Sequence, residues 1–449
     1  MLNVGFGDTT AYCDRIARRS FLKVGSIGAG GLTLANALKH RASGAEGGQG
    51  TKDNAVILFW LEGGPSHMDM YDLKPNAPSE YRGVFQPIDS NVAGIQLTEL
   101  FPQQAKVMDK LSIIRSIRHP AGDHISGPHH MLTGYVGSSV ARPSPMYPSV
   151  GSITAMLRGP NQPEMPAYVA IPHAQSYAGI RPGYHGAAYL GLAYNPFDAG
   201  GDPNGSDFKV PNLQLSSGIT VEMLEDRKKI SSFLSKVRRR VDTNGLLDGL
   251  DRFNQKAFDM TTGEAARRAF NLALEDDKLR DQYGRNQIGQ SALLARRLVE
   301  TGVTYVTVIS NGWDHHGGVA GGMRRKLPSL DQAVGSLVQD LEERGLYERT
   351  IVIVMGEFGR TPRINGSAGR DHWPDSMAVL VGGGGLRTAQ VIGSTDGKGQ
   401  RPSQRPLTPK DFWSTIYRKL GIDTELAFNN LTGRPIPILD SGSSIEELL

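Results

Sequence analysis

The chain has 449 residues, 39% of them hydrophobic and 21% charged, with 55 Gly and 26 Pro; this is the composition of a folded protein rich in tight turns and excludes collagen, coiled coil or wholesale disorder as the main architecture. The net charge of +4 is concentrated in residues 1–50, which carry six Lys/Arg against three Asp/Glu, so residues 51–449 are close to neutral at 43 against 42 and lack the basic excess a nucleic-acid partner requires. Cys13 is the only cysteine, which excludes disulfides, thiolate zinc sites, iron–sulfur clusters and cysteine nucleophiles from residues 51–449.

In the leading segment Arg18 and Arg19 are followed by Phe21 and Leu22 and then by a weakly apolar, Gly- and Ala-rich run over 24–38. This is similar to a twin-arginine export signal, and it predicts a periplasmic or secreted protein. The run is too short and too glycine-rich for a comfortable bilayer span, and no other stretch qualifies as a transmembrane segment. Gly44, Gly47, Gly48 and Gly50 mark a linker, so residues 1–50 read as signal and linker and residues 51–449 as a single domain.

The first strand is predicted over 55–61, an unbroken apolar run closed by Glu62-Gly63-Gly64-Pro65. Runs without alternation suit strands covered on both faces. The pattern returns over 303–309, 350–355 and 377–381, with weaker strands over 111–117 and 167–171. Between the strands at 303–309 and 350–355, Leu330, Val334, Leu337, Val338 and Leu341 follow helical spacing, which predicts a helix over 329–346 with Gly345 as its stop. Strand, helix and strand in this order form the crossover unit of a parallel sheet. The predicted fold is therefore α/β, a doubly wound, mainly parallel sheet with helices on both faces. A loop and helical insertion is expected at about 173–302, where Gly, Pro, Asn and Tyr give way to charged, helix-prone sequence whose Arg238, Arg239 and Arg240 read as a solvated face.

Eight of the eleven histidines fall in four short windows: His67; His119, His124, His129 and His130; His315 and His316; and His372. Glu62 follows the first strand, with His67 and Asp69 close behind. Trp313-Asp314-His315-His316 follows the strand ending near Ile309, Glu357 follows that ending at Met355, and Asp371-His372 precedes the last. Loops at the carboxyl ends of parallel strands converge on one crevice, so these windows are expected to meet there. Oxygen and nitrogen donors without sulfur suit a divalent ion such as zinc, calcium, magnesium or manganese. Taken singly, Glu357 reads equally as a helix-capping carboxylate, and Asp371 with His372 as a hydrogen-bonded structural pair.

In order, Gly63-Gly64-Pro65-Ser66-His67 with Asp69 and Asp72, Met131-Leu132-Thr133-Gly134, Trp313-Asp314-His315-His316, Gly356-Glu357-Phe358-Gly359-Arg360-Thr361-Pro362 and Asp371-His372 resemble an exported, uncharacterised, sulfatase-like family catalogued as domain of unknown function 1501. That family sits within the alkaline phosphatase-like superfamily. The resemblance implies an alkaline phosphatase-like fold with two metal ions. Asp314, His316 and His372 would serve one ion and Glu357 the other, with Glu62 or Asp69 as the acidic ligand after the first strand. Phe358 stands where the related motif has histidine. The sulfatase motif Cys/Ser-x-Pro-x-Arg is reduced here to Ser126-Gly127-Pro128-His129-His130, and counting back from Leu132-Thr133-Gly134 places His124 at the nucleophile position. Ser126, His124 and a metal-activated water all stay open as the attacking group, with Arg360, Arg363 or Arg370 as anion clamps. The resemblance thus implies an exported metal-dependent hydrolase of sulfate or phosphate esters, small-molecule or glycan. The alternative is a non-catalytic protein that binds an anionic glycan.

Overall fold

A computed structural model describes residues 53–141, 144–174, 183–210, 223 and 263–449. The twin-arginine segment and the arginine run at 238–240 lie outside the described residues. An eight-stranded sheet is built from β1 (Ala55–Leu61), β2 (Ser112–Ile117), β3 (Tyr168–Ile171), β4 (Phe197–Asp198), β5 (Tyr305–Ser310), β6 (Thr350–Met355), β7 (Met377–Gly382) and β8 (Gln390–Ile392). Their order across the sheet is β8-β2-β7-β6-β1-β5-β3-β4. β1 pairs in parallel with both β5 and β6, β3 with both β5 and β4, and β8 with β2. Only β7 runs against its two neighbours, β2 and β6.

All seven residues of β1 are buried, and they divide by parity. Ile57, Phe59 and Leu61 enter one hydrophobic core while Val56, Leu58 and Trp60 enter the other. Period-two alternation of the backbone sends successive side chains to opposite faces, so an unbroken apolar run demands cover on both. On the first face lie α3 (Gln287–Thr301) and α4 (Val319–Glu343); on the second lie α1 (Ser126–Thr133), α2 (Val150–Arg158) and α5 (Pro409–Lys419). The fold is therefore an α/β, mainly parallel sheet with helices on both faces.

Two boundaries depart from the sequence reading. α4 starts ten residues earlier than expected and runs through Pro328. Val319, Met323 and Leu327 continue the same buried face, and that packing outweighs the hydrogen bond lost at the proline. Within 173–302, β4 joins the sheet edge and α3 covers the first face, so these portions are integral to the domain.

The reversed direction of β7 shapes one edge of the sheet. Because β2, β5, β6 and β1 all point the same way, their carboxyl ends share that edge. β7, antiparallel, begins there. The segment that precedes β7 is thereby delivered beside the loops that leave the other four.

Candidate metal centre

Five neighbouring strands, in the order β2-β7-β6-β1-β5, present His124, His372, Glu357, Glu62 and Asp314 at this edge. The loops are tied together by hydrogen bonds from backbone N–H groups. Trp313 N–H donates to the Glu62 carbonyl at 3.1 Å and Gly63 N–H donates to Glu357 Oε1 at 2.8 Å. Gly63 has φ +115°, and a Cβ there would stand 2.6 Å from the Asp314 nitrogen, so only glycine lets the loop after β1 lie against the loop after β5.

Asp314 is the hub. Its Oδ1 lies 3.0 Å from His316 Nε2 and 3.4 Å from His372 Nε2, and the two Nε2 atoms are 3.1 Å apart. The opposite ring nitrogens are already engaged: His316 Nδ1 lies 2.6 Å from Asp371 Oδ1 and His372 Nδ1 lies 2.9 Å from the Gly122 carbonyl. Carboxylate and carbonyl oxygens only accept, so both Nδ1 atoms carry the proton and, in the neutral rings, both Nε2 atoms present lone pairs. Two imidazole lone pairs and a carboxylate oxygen within 3.4 Å of one another repel unless a positive centre, a proton or a metal ion, sits among them. An outer carboxylate or carbonyl on each ligating histidine is the usual support of a metal-bound imidazole.

A second group adjoins the first through His124, whose Nδ1 donates to Glu357 Oε1 at 2.8 Å while its Nε2 lies 3.1 Å from Asp314 Oδ2. His124, Asp314 and His372 also offer donor atoms within 4.8 Å of one another. Burial opposes charge on His124, but hydrogen bonds to Asp314 and Glu357 and the charges of both raise its pKa to about 9. Burial works against Asp314 too, yet hydrogen bonds from His124 and Arg360 and the charge of Arg360 hold it far below the usual carboxylate range. Glu62, buried and facing the charge of Glu357, is pushed up to about 8. Glu357 is completely buried, and its Oε2 has no hydrogen-bond partner among the described residues. An orphaned buried carboxylate oxygen beside a second buried acid is costly without a cation. Together the donor set and this orphaned oxygen fit divalent metal.

Other expected residues are placed differently. Asp69 and Arg370 form a fully buried ion pair at 2.9 Å, and Asp69 also accepts from Ser66 Oγ at 2.6 Å and Val84 N–H at 2.8 Å. Arg370 spends its remaining donors on the carbonyls of Thr361, Pro362 and Arg82. Asp69 is thus a partner of Arg370 and stands outside the ligand cluster, and Arg370 is a strut beneath the loops where an anion clamp was expected. Arg360, 1% exposed, donates to the Gly63 and Gly64 carbonyls and to Asp314 Oδ1 at 2.6 Å. It orients Asp314 and has no fork left for a substrate. Ser126 opens α1, and its hydroxyl donates to Asp123.

Asp371 pairs with His316, whereas the sequence suggests a pair with its neighbour His372. His119 contacts the Glu357 carbonyl at 2.7 Å and stacks on His130, and burial pushes the pKa of both rings down, that of His119 to about 4. Phe358 packs 4.6 Å from the His372 ring and 5.4 Å from His124, walling the cluster on its inner side. Asn365, which binds Asp371, gave no signal in the sequence because a lone asparagine in a Gly/Ser loop reads as a turn residue.

Residues 53–449 match the family described as "Protein of unknown function (DUF1501)". The chain belongs to the DUF1501 family. No curated protein matches this DUF1501 sequence. Among solved structures, a sulfatase from a Pseudoalteromonas species is similar at 14% identity and TM-score 0.38, covering 87% of this chain and 72% of that one. An alkaline phosphatase from the Antarctic bacterium TAB5 is similar at 14% identity and TM-score 0.35, covering 77% and 95%. A phosphonate monoester hydrolase from Silicibacter pomeroyi is similar at 10% identity and TM-score 0.32, covering 88% and 76%. Likeness this distant says nothing about chemistry, which rests on the side chains of the DUF1501 site itself. No described helix is long and apolar enough to cross a membrane.

Proposed function

We propose that this chain is an exported, metal-dependent hydrolase of sulfate or phosphate esters carried on a small molecule or a glycan. The observation that carries the reading is the convergence of His316 Nε2 and His372 Nε2 on Asp314 Oδ1 at distances of 3.0–3.4 Å, with the far nitrogen of each ring already bonded. Asp314, His316 and His372 would hold one divalent cation, and Glu357 with Glu62, His124 and the second oxygen of Asp314 would hold another. Two imidazoles and a carboxylate suit zinc or manganese, while the oxygen-rich second group also suits magnesium or calcium. Bound there, such ions would supply charge neutralisation for an anionic ester and acidify water.

The protein's own groups narrow the attacking atom. Both nitrogens of His124 face carboxylates, which leaves no lone pair aimed outward. Ser126 faces Asp123, where burial pulls the carboxyl up but the hydrogen bonds from Ser126 and Ile125 hold it below its ordinary value; so weak a base activates a hydroxyl poorly. We therefore assign the attack to water entering past His316, whose side chain is 48% exposed. Phe358 closes the inner side against solvent.

The test is hydrolysis of aryl sulfates and aryl phosphates by metal-stripped protein, with zinc, manganese, magnesium or calcium restored singly. Turnover that requires a metal supports the reading. Metal-replete protein that binds an anionic glycan and yields no product favours the non-catalytic alternative, and protein that neither takes up metal nor turns over ester overturns the proposal.

A further inference from the structure

The loop at 361–371, between two short paired segments Gly359–Arg360 and His372–Trp373, is folded onto the turn that carries His316. Gly318 N–H donates to Ser367 O at 3.0 Å, Val319 N–H to Ala368 O at 2.8 Å and Arg370 N–H to His315 O at 3.0 Å. The approach at Gly369 is so close that a Cβ would stand 2.1 Å from the His316 carbonyl carbon. Within this clamp Asn365 joins both ends of one histidine. Its Nδ2 donates to the His316 backbone carbonyl at 3.0 Å and to Asp371 Oδ1 and Oδ2 at 3.2 and 3.3 Å. Its own Oδ1 accepts from Ser367 and Gly369 N–H groups at 3.0 and 2.9 Å, which fixes the amide's orientation. Asp371, steadied by Asn365 and by its backbone N–H to Thr361 Oγ1 at 2.9 Å, then accepts from His316 Nδ1 at 2.6 Å.

This arrangement opposes the ring's own preference. A free neutral imidazole in water favours the proton on Nε2, which would turn a donor toward Asp314 and His372 and abolish ligation. A carboxylate cannot donate, so one held at Nδ1 selects the other tautomer. The pair is half exposed, 48% and 53% for the two side chains, so water competes for the same positions and a freely rotating aspartate would select weakly. Asn365 removes that freedom.

We propose that Asn365 and Asp371 form a buttress that fixes His316 as the Nδ1–H tautomer and thereby makes Nε2 its metal-facing atom. Both are positioning residues, and the inference rests on the metal-site reading above. Long-range ¹H–¹⁵N correlation spectra of the metal-free full chain, at a pH where the ring is neutral, report the tautomer directly, and Zn²⁺ titration reports affinity. Wild-type protein is expected to show His316 protonated on Nδ1. D371N, whose amide offers a donor as well as an acceptor, is expected to shift the ring toward Nε2–H and weaken Zn²⁺ binding by roughly tenfold, the lower end for an outer partner. N365D, which keeps the loop acceptor but sets a carboxylate against Asp371, is expected to do the same, and D371E to recover most of the affinity. A merely structural role would alter the melting temperature without moving the tautomer. Wild-type protein with the proton on Nε2, or Zn²⁺-binding protein whose D371N and N365D forms keep both tautomer and affinity, overturns the buttress. Wild-type protein that holds the Nδ1–H tautomer yet binds no Zn²⁺ supports the buttress while overturning the metal reading on its own.

Discussion

In the absence of metal the cluster carries protons where cations would sit, and that competition is measurable. His124 is held protonated up to about 9 by Asp314 and Glu357, and Glu62 keeps its proton up to about 8 through burial and the charge of Glu357. A metal that engages these groups must expel those protons. For each one, apparent affinity rises tenfold per pH unit while pH remains below the group's pKa, about 1.4 kcal/mol per unit. Between pH 6.5 and 8 this amounts to about thirtyfold for the His124 proton and about five-hundredfold when that of Glu62 is expelled as well. The assay is isothermal titration of Zn²⁺ into stripped protein in buffers of different ionisation enthalpy, from which the number of protons released at pH 7.5 is read. Between one and two protons are expected, and Glu62→Gln should lower the number by up to one. The same groups give the metal-free protein a stability that declines with alkalinity. His124 stabilises fully below its unfolded value of 6.5 and loses that contribution as pH rises through about 9, on the order of 3 kcal/mol. Glu62, also raised, adds a loss of the same sign up to about 8. Zinc binding with no proton released, or with affinity flat from pH 6.5 to 8, would refute this reasoning.

Arg370→Met should cost about 3–5 kcal/mol in chemical denaturation, because it strands the fully buried Asp69 carboxylate; a raised KM at unchanged stability would instead mark Arg370 as a substrate clamp. Ser126→Ala should leave ester turnover within about threefold of wild type, since the hydroxyl is spent on Asp123, whereas a loss of about a thousandfold or more would make Ser126 the nucleophile. Replacing Arg18 and Arg19 by Lys in the full chain should trap it on the cytoplasmic side of the membrane in a cell-fractionation experiment, and unchanged export would remove the twin-arginine reading.

The architecture was legible wherever a strand is buried on both faces. Ala55–Leu61 and Thr350–Met355 announce themselves as unbroken apolar runs, and both segments are strands in the fold. Strand direction was not legible, because an apolar run reads alike either way; the reversed β7 is what carries His372 to the edge where Asp314 and Glu357 lie. Short edge strands such as Phe197–Asp198 carry no periodicity to detect. In the site, acids and imidazoles stood out because ionisable groups at strand ends are chemically conspicuous. Arginines misled: Arg360 and Arg370 read as anion clamps for a substrate, but their guanidinium groups are consumed by loop carbonyls and by Asp314 and Asp69. Asn365 and Asp371 could be placed only by the fold, since their partners lie about fifty residues away along the chain.

The most direct measurement is anomalous diffraction at the zinc edge from crystals of the full chain grown with Zn²⁺. A peak is expected at about 2.0–2.2 Å from Asp314 Oδ1, His316 Nε2 and His372 Nε2, and it should vanish in His372→Ala crystals. Full zinc occupancy elsewhere with no peak at these three atoms, or an undiminished peak there in the His372→Ala crystals, would contradict the account.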